Sequence, residues 1–199
     1  MAIIVNKEEK RRAIAIACSD LLLEKGIDDL TIAELAKTAG VGKGTIYEYF
    51  DNKEDIVFEI ISTFMEEYEK RLLDVVNEAA TTKEKIFHFL SMLFADDTYQ
   101  KHLRTYREYL AISLTSGTEQ MVAFSAGCKE KFATILNQII EKGINRGEIR
   151  REARELIPAL LLFEKGLVVD TKASGVDAGV EIVRLLDILF ELITVKEAK

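Results

Sequence analysis

Thr31-Ile32-Ala33-Glu34-Leu35-Ala36-Lys37-Thr38-Ala39-Gly40-Val41-Gly42-Lys43-Gly44-Thr45-Ile46-Tyr47-Glu48-Tyr49-Phe50, continued by Asp51-Asn52-Lys53-Glu54-Asp55, reads as two short helices, a glycine turn and the cap of a third helix. Thr31 with Glu34 forms a capping box, in which hydroxyl and carboxylate satisfy free backbone amides, so a helix starts at or next to Thr31. Ile32, Leu35, Ala36 and Ala39 recur at spacings of three and four and give that helix one small apolar face. Gly40 supplies the positive φ that ends it, and the turn is Gly40-Val41-Gly42. A second helix follows over about residues 43–50. Val41, Ile46 and Phe50 share its inner face, which leaves Lys43, Gly44, Thr45, Tyr47 and Glu48 outward. This is the grammar of a helix-turn-helix, whose second helix enters a major groove. A cation, a hydroxyl, a phenol and a stretch of bare backbone suit close approach to phosphates and base edges. Asn52 is placed to cap the next helix, where Lys53 and the free amides favour a phosphate.

The run Val41-Gly42-Lys43-Gly44-Thr45-Ile46-Tyr47-Glu48-Tyr49-Phe50-Asp51-Asn52-Lys53-Glu54 resembles the DNA-binding motif of the TetR family of bacterial transcriptional regulators, usually Val-Ser-Lys-Gly-Thr-Leu-Tyr-x-Tyr-Phe-x-Asn-Lys-Glu. Two positions depart from it. Gly42 stands where the family often has a serine cap, and Glu48 puts an acid on the face turned to DNA, where it either accepts from a cytosine amino group or turns away. The resemblance implies DNA-binding roles for Thr31, Gly42, Lys43, Gly44, Thr45, Tyr47, Glu48, Tyr49 and Lys53. It also implies a homodimer on a palindromic operator and a second domain with an effector pocket.

The composition fits an all-α protein: 199 residues, 48% hydrophobic, with one proline and no tryptophan. No apolar run reaches membrane-spanning length and the start of the chain lacks a signal peptide, so a cytoplasmic protein is expected. Cys18 and Cys128 lie far apart without a CxxC or a histidine at ligand spacing, which predicts neither metal site nor disulfide framework. Charge runs against the motif. The net is −7, and residues 1–55 carry 8 Lys/Arg and 11 Asp/Glu, where a nucleic-acid-binding head is expected to be basic. The cations that remain are local: Lys43 and Lys53 at the motif, and Lys7, Lys10, Arg11 and Arg12 near the start. These four form either a solvated helix face or an arm that touches DNA.

Periodicity and turn residues predict a first helix from about 7 to 23 that completes a three-helix head. A fourth runs from 52 to about 76, too long for the head alone and thus a lever into a second domain. Further helices are expected at about 83–94, 100–114, 118–142, 153–172 and 176–195, separated at Asp96-Asp97, Ser116-Gly117, Gly143 to Gly147 and Ser174-Gly175. The expected organisation is a helix-turn-helix domain over 1–53 and a helical bundle for effector binding and dimerisation over 54–199.

No phosphate loop, paired histidines or nucleophile elbow is present, so neither an enzyme nor a cofactor is expected. Phe87, His88, Tyr106, Arg107, Tyr109, Phe124 and Phe163 are either core residues or the wall of a pocket for a small apolar or amphipathic effector. The last two helices are apolar beyond one stripe. Leu160, Leu167, Val183, Leu186, Leu189 and Phe190 are expected to pair with a second copy in a four-helix bundle, unless that breadth only reflects internal packing. Two functions remain in view. One is a dimeric repressor released from its operator by an effector; the alternative is a regulator that keeps the head but acts through a protein partner.

Overall fold

The computed structural model describes residues 6–26, 29–95 and 97–195. Its helices are α1 (Lys7–Lys25), α2 (Ile32–Thr38), α3 (Lys43–Tyr49), α4 (Lys53–Glu78), α5 (Thr82–Ser91), α6 (Asp97–Ser116), α7 (Glu119–Asn145), α8 (Ile157–Ala173) and α9 (Ala178–Ile193). Met92–Phe94 and Arg151–Leu156 form 3-10 turns. Asp28 and Asp96 lie outside the described residues. No helix among the described residues is long and apolar enough to cross a membrane. The all-α expectation holds.

The chain divides into two compact units. The first holds residues up to Glu67 together with Lys101–Met121, and is built on the head. Asn6 caps α1, and Gly26 ends it at φ 74°. Ile14, Ala15, Cys18 and Leu22 of α1 are buried, as are Leu35 and Ala36 of α2, Ile46 of α3, and Phe50 just beyond it. Spacings of three, four and seven along α1 thus turn one stripe into the small core on which α2 and α3 rest. Within the same unit the first half of α4 buries Val57, Phe58, Ile61 and Phe64, while α6 buries Leu103, Tyr109 and Ile112. Rings connect these helices: Phe58 stacks on Tyr109 at 6.4 Å and Phe64 on His102 at 4.2 Å between centroids.

The second unit comprises Tyr68–Gln100 and the chain from Val122 onward. Its core includes Leu72, Val76, Ile86, Leu90, Leu136, Ile140, Ile149, Leu160, Val168, Ile182 and Leu186. A capping box at Thr81 and Glu84 starts α5. The buried Thr82 amide donates to Glu148 Oε2 at 2.7 Å, and the buried Lys85 ammonium donates to the Val76 carbonyl at 2.5 Å, closing the end of α4. An antiparallel bridge joins Ile149 to Thr194. One expected helix is divided: the stretch expected as 153–172 begins as a 3-10 turn and becomes α-helical only at Ile157. Pro158 explains the boundary, since its missing amide and ring are accommodated in a helix's first turn and would break its interior.

Candidate nucleic-acid interface

The head is assembled by local chemistry. Thr31 Oγ1 accepts from the Glu34 amide at 3.3 Å, and Glu34 Oε2 accepts from the Thr31 amide at 3.0 Å and from its hydroxyl at 2.8 Å, the reciprocal box that opens α2. Lys25 donates to the other oxygen of Glu34. That hydrogen bond and those from Thr31 pull the Glu34 carboxyl down to about 2. The Thr31 hydroxyl is therefore engaged in the box. Gly40, at φ 67°, lets the chain reverse, and the Val41 amide closes on the Ala36 carbonyl at 2.9 Å.

α3 is two turns long and enters the core through Ile46, fully buried, and Phe50 at its end. Its other face is open. Gly42, Lys43, Gly44, Tyr47 and Glu48 are exposed, with Thr45 and Tyr49 half-buried beside them. Tyr47 is 61% exposed, a large ring left in solvent on a helix whose inner face is fully used. Gly42 is the N-cap residue and offers no side-chain cap. A Cβ on Gly44 would meet nothing within 4 Å, so packing inside the chain does not demand a glycine there. What glycine leaves is space for something outside the chain to touch backbone. Glu48 stands on the same exposed face, and Lys53 opens α4, where Asn52 Oδ1 accepts from the Asp55 amide at 2.8 Å.

The N-terminal cations divide. Lys10 lies over the Tyr49 ring at 5.8 Å and so stands beside α3. Arg12 pairs with Glu66 at 2.9 Å. Arg11 turns inward, which the charge pattern alone did not reveal. Its Nη2 meets Asp55 Oδ1 and its Nε meets Glu59 Oε2, each at 2.7 Å; Nη1 donates to the Tyr49 carbonyl, and the guanidinium lies 4.5 Å from the Phe50 ring centre. Burial alone would lower the Arg11 pKa, but the hydrogen bonds and charges of the two carboxylates raise it, so the cation is permanent. A signal was present: Arg11 falls three, four, seven and eleven residues before Ile14, Ala15, Cys18 and Leu22, on the buried stripe. Through these pairs Asp55, Glu59, Glu66 and Glu34 each meet a cation of α1.

The residues expected to wall an effector pocket are distributed between the units. Tyr106, Arg107 and Tyr109 belong to the first, where the two tyrosines stack at 6.2 Å and the Tyr109 hydroxyl donates to the Met121 carbonyl at 2.9 Å. Burial pushes the Arg107 pKa down. Phe87, His88, Phe124 and Phe163 are half-buried in the second unit. Phe87 lines a surface groove of about 340 Å³ with Thr81, Lys83, Glu84, Val183, Leu186 and Asp187. Of the residues expected at a dimer interface, Leu160, Leu167 and Leu186 point into the protomer's own core, Leu189 and Phe190 are half-buried, and Val183 is exposed. The apolar side chains left in solvent on these helices are instead Leu162 and Val169 of α8 and Val180, Val183, Ile188 and Leu192 of α9, from 47% to 66% exposed.

Residues 17–60 match the model of the bacterial regulatory proteins of the tetR family. Across 189 residues, 94% of this chain and 95% of the relative, the sequence is 27% identical to the fatty acid metabolism regulator protein of Bacillus subtilis (strain 168). The crystal structure of FadR from Bacillus subtilis in complex with stearoyl-CoA is similar at a TM-score of 0.64 and 26% identity, over 89% of this chain and 96% of that one. A putative transcriptional regulator from Saccharomonospora viridis, solved in complex with choline, shares the fold at a TM-score of 0.77 and 18% identity, over 94% of this chain and 99% of that one.

Proposed function

We propose that this chain, a TetR-family DNA-binding regulator, represses transcription by holding a palindromic operator as a homodimer, and releases it when an amphipathic effector binds. The observation that carries the reading is α3: a helix fixed to the core on one side and presenting Lys43, Gly44, Tyr47 and Glu48 to solvent on the other. Lys43 and Tyr47 engage phosphates or base edges, and Thr45 a phosphate or thymine methyl. Gly44 admits the DNA backbone, while Tyr49 and Lys53 hold flanking phosphates. Thr31 contributes by fixing α2, its hydroxyl being engaged in the capping box. Two such helices on one twofold axis read half-sites separated by whole helical turns.

The exposed apolar side chains of α8 and α9 support the dimer, because a strip of this kind in water needs a partner. For the effector, the support is a similarity and a set of rings. A relative 26% identical was solved with stearoyl-CoA, and in this chain α6 presents Tyr106, Arg107 and Tyr109, of which Tyr109 stacks directly on Phe58 of α4. A long acyl chain inserted against these rings, with Arg107 meeting an anionic group, displaces α4 and with it the head. A coupling of about 1–3 kcal/mol suffices, and DNA must weaken the effector by the same factor.

The test is titration of stearoyl-CoA into the protein bound to a duplex that it selects from a random pool, with free coenzyme A as control. Release by stearoyl-CoA alone is expected. Binding of stearoyl-CoA without a change in duplex affinity contradicts the coupling.

A further inference from the structure

The guanidinium of Arg11 joins three elements of the first unit at one point. From α1 it reaches the final residue of α3 through the Tyr49 carbonyl, and the first two turns of α4 through Asp55 and Glu59. Asp55 is itself tied to the loop between them, its Oδ2 accepting from the Asp51 amide at 3.2 Å. α3 is too short to hold its own direction, since two turns of helix are marginal without tertiary anchors. Its N-terminal end is fixed by the turn after α2 and its C-terminal end by Arg11, which occupies a carbonyl left orphaned by the helix and stands at the negative end of its dipole. A lysine replaces it only in part, because a single ammonium keeps the charge but lacks the planar fork that meets two carboxylates and a carbonyl together.

We propose that Arg11 is a positioning residue for operator reading: it locks the recognition helix to the start of α4, so that sequence discrimination depends on a side chain that does not touch DNA. The inference rests on the DNA-binding reading of α3 given above. It also gives a route by which a shift of α4 reaches the bases, because Asp55 and Glu59 carry Arg11, and Arg11 carries the end of α3.

The experiment compares wild type, Arg11→Met and Arg11→Lys on two duplexes, one selected by the wild-type chain from a random pool and one of scrambled sequence, across a salt series. Arg11→Met is expected to lose about 10- to 100-fold on the selected duplex, to keep its affinity for the scrambled one, and to leave the slope of log affinity against log salt unchanged. Arg11→Lys is expected to recover part of the loss. Asp55→Ala with Glu59→Ala removes both side-chain acceptors on α4 and carries the same expected loss of preference for the selected duplex, so failure of Arg11→Met to fold leaves the test intact. A salt slope reduced by about one identifies Arg11 as a phosphate contact and overturns the proposal. Undiminished preference for the selected duplex overturns it as well. A wild-type chain that selects no duplex brings down the DNA-binding reading itself, whereas the other two results bring down only the role of Arg11.

Discussion

α3 and α9 both leave large side chains in water, and they do so differently. On α3 the exposed ring of Tyr47 is set among Lys43, Gly44 and Glu48, a patch in which every neighbour is polar or bare backbone. On α9, Val180, Ile188 and Leu192 lie at spacings of eight and four, turned away from the buried Ile182, Leu186 and Ile193, and form an apolar row interrupted by Arg184 and flanked by Glu181, Asp187 and Glu191. A mixed polar face suits a polyanion whose bases carry donors and acceptors; an apolar strip suits a second copy of itself. The contrast separates the two partners proposed for this chain, and each side of it can be broken independently.

The largest effect is expected on α9. Ile188→Glu with Leu192→Glu places four carboxylates in a symmetric interface and should weaken self-association by more than about 1,000-fold, or about 4 kcal/mol, read by sedimentation at micromolar concentration. Unchanged association would remove the strip from the interface. In that dissociated background, Leu186→Ala should cost about 2–4 kcal/mol of unfolding free energy and Val183→Ala less than about 0.5 kcal/mol, measured by urea denaturation. Equal costs would mean that the inner and outer faces have been assigned wrongly.

On α3 a glycine sharpens the comparison. Gly44→Ala adds a methyl that meets nothing in the protein and improves helix propensity, so thermal stability should hold or rise while affinity for the selected duplex falls by about 1–2 kcal/mol. A loss of stability would mean that the glycine serves the fold instead.

The smallest effect is a pH dependence at the start of α2. The Glu34 carboxyl, held by Lys25 and Thr31, has a folded pKa of about 2 against an ordinary 4.5. Between those values the unfolded chain binds the extra proton, so the stability from this group is complete above about pH 4.5 and disappears as pH falls toward 2. The melting curves of wild type and Glu34→Gln should therefore converge over that range, and parallel curves would contradict the assignment. The carboxylate is exposed, which keeps the effect modest.

The same contrast explains what could be read from the chain beforehand. The head is legible because its signals are local: a capping box within four residues, a glycine at the turn, and an apolar spacing that leaves Tyr47 outside. Thr81 and Glu84 repeat that box at the start of α5 and gave an equally local signal. Along α9, by contrast, Leu186 and Ile188 are equivalent letters, and only the helices around them decide that one is core and the other surface. Arg11 falls between these cases. Its place on the buried stripe of α1 was visible, but the carboxylates that accept it are 44 and 48 residues away, and no local pattern links them. The rings of α6 show the same limit, since their spacing marks a buried face without telling which neighbour they meet.

The central claim, that α3 reads DNA through its exposed polar face, is tested most directly by one measurement: the affinity of Lys43→Ala with Tyr47→Ala for the duplex selected by the wild-type chain, at fixed salt. Both side chains lie outside the core, so the double variant should fold as wild type does. A loss of at least about 100-fold, or about 2.7 kcal/mol, is the result this account predicts, and a folded double variant that binds the duplex with wild-type affinity would contradict it.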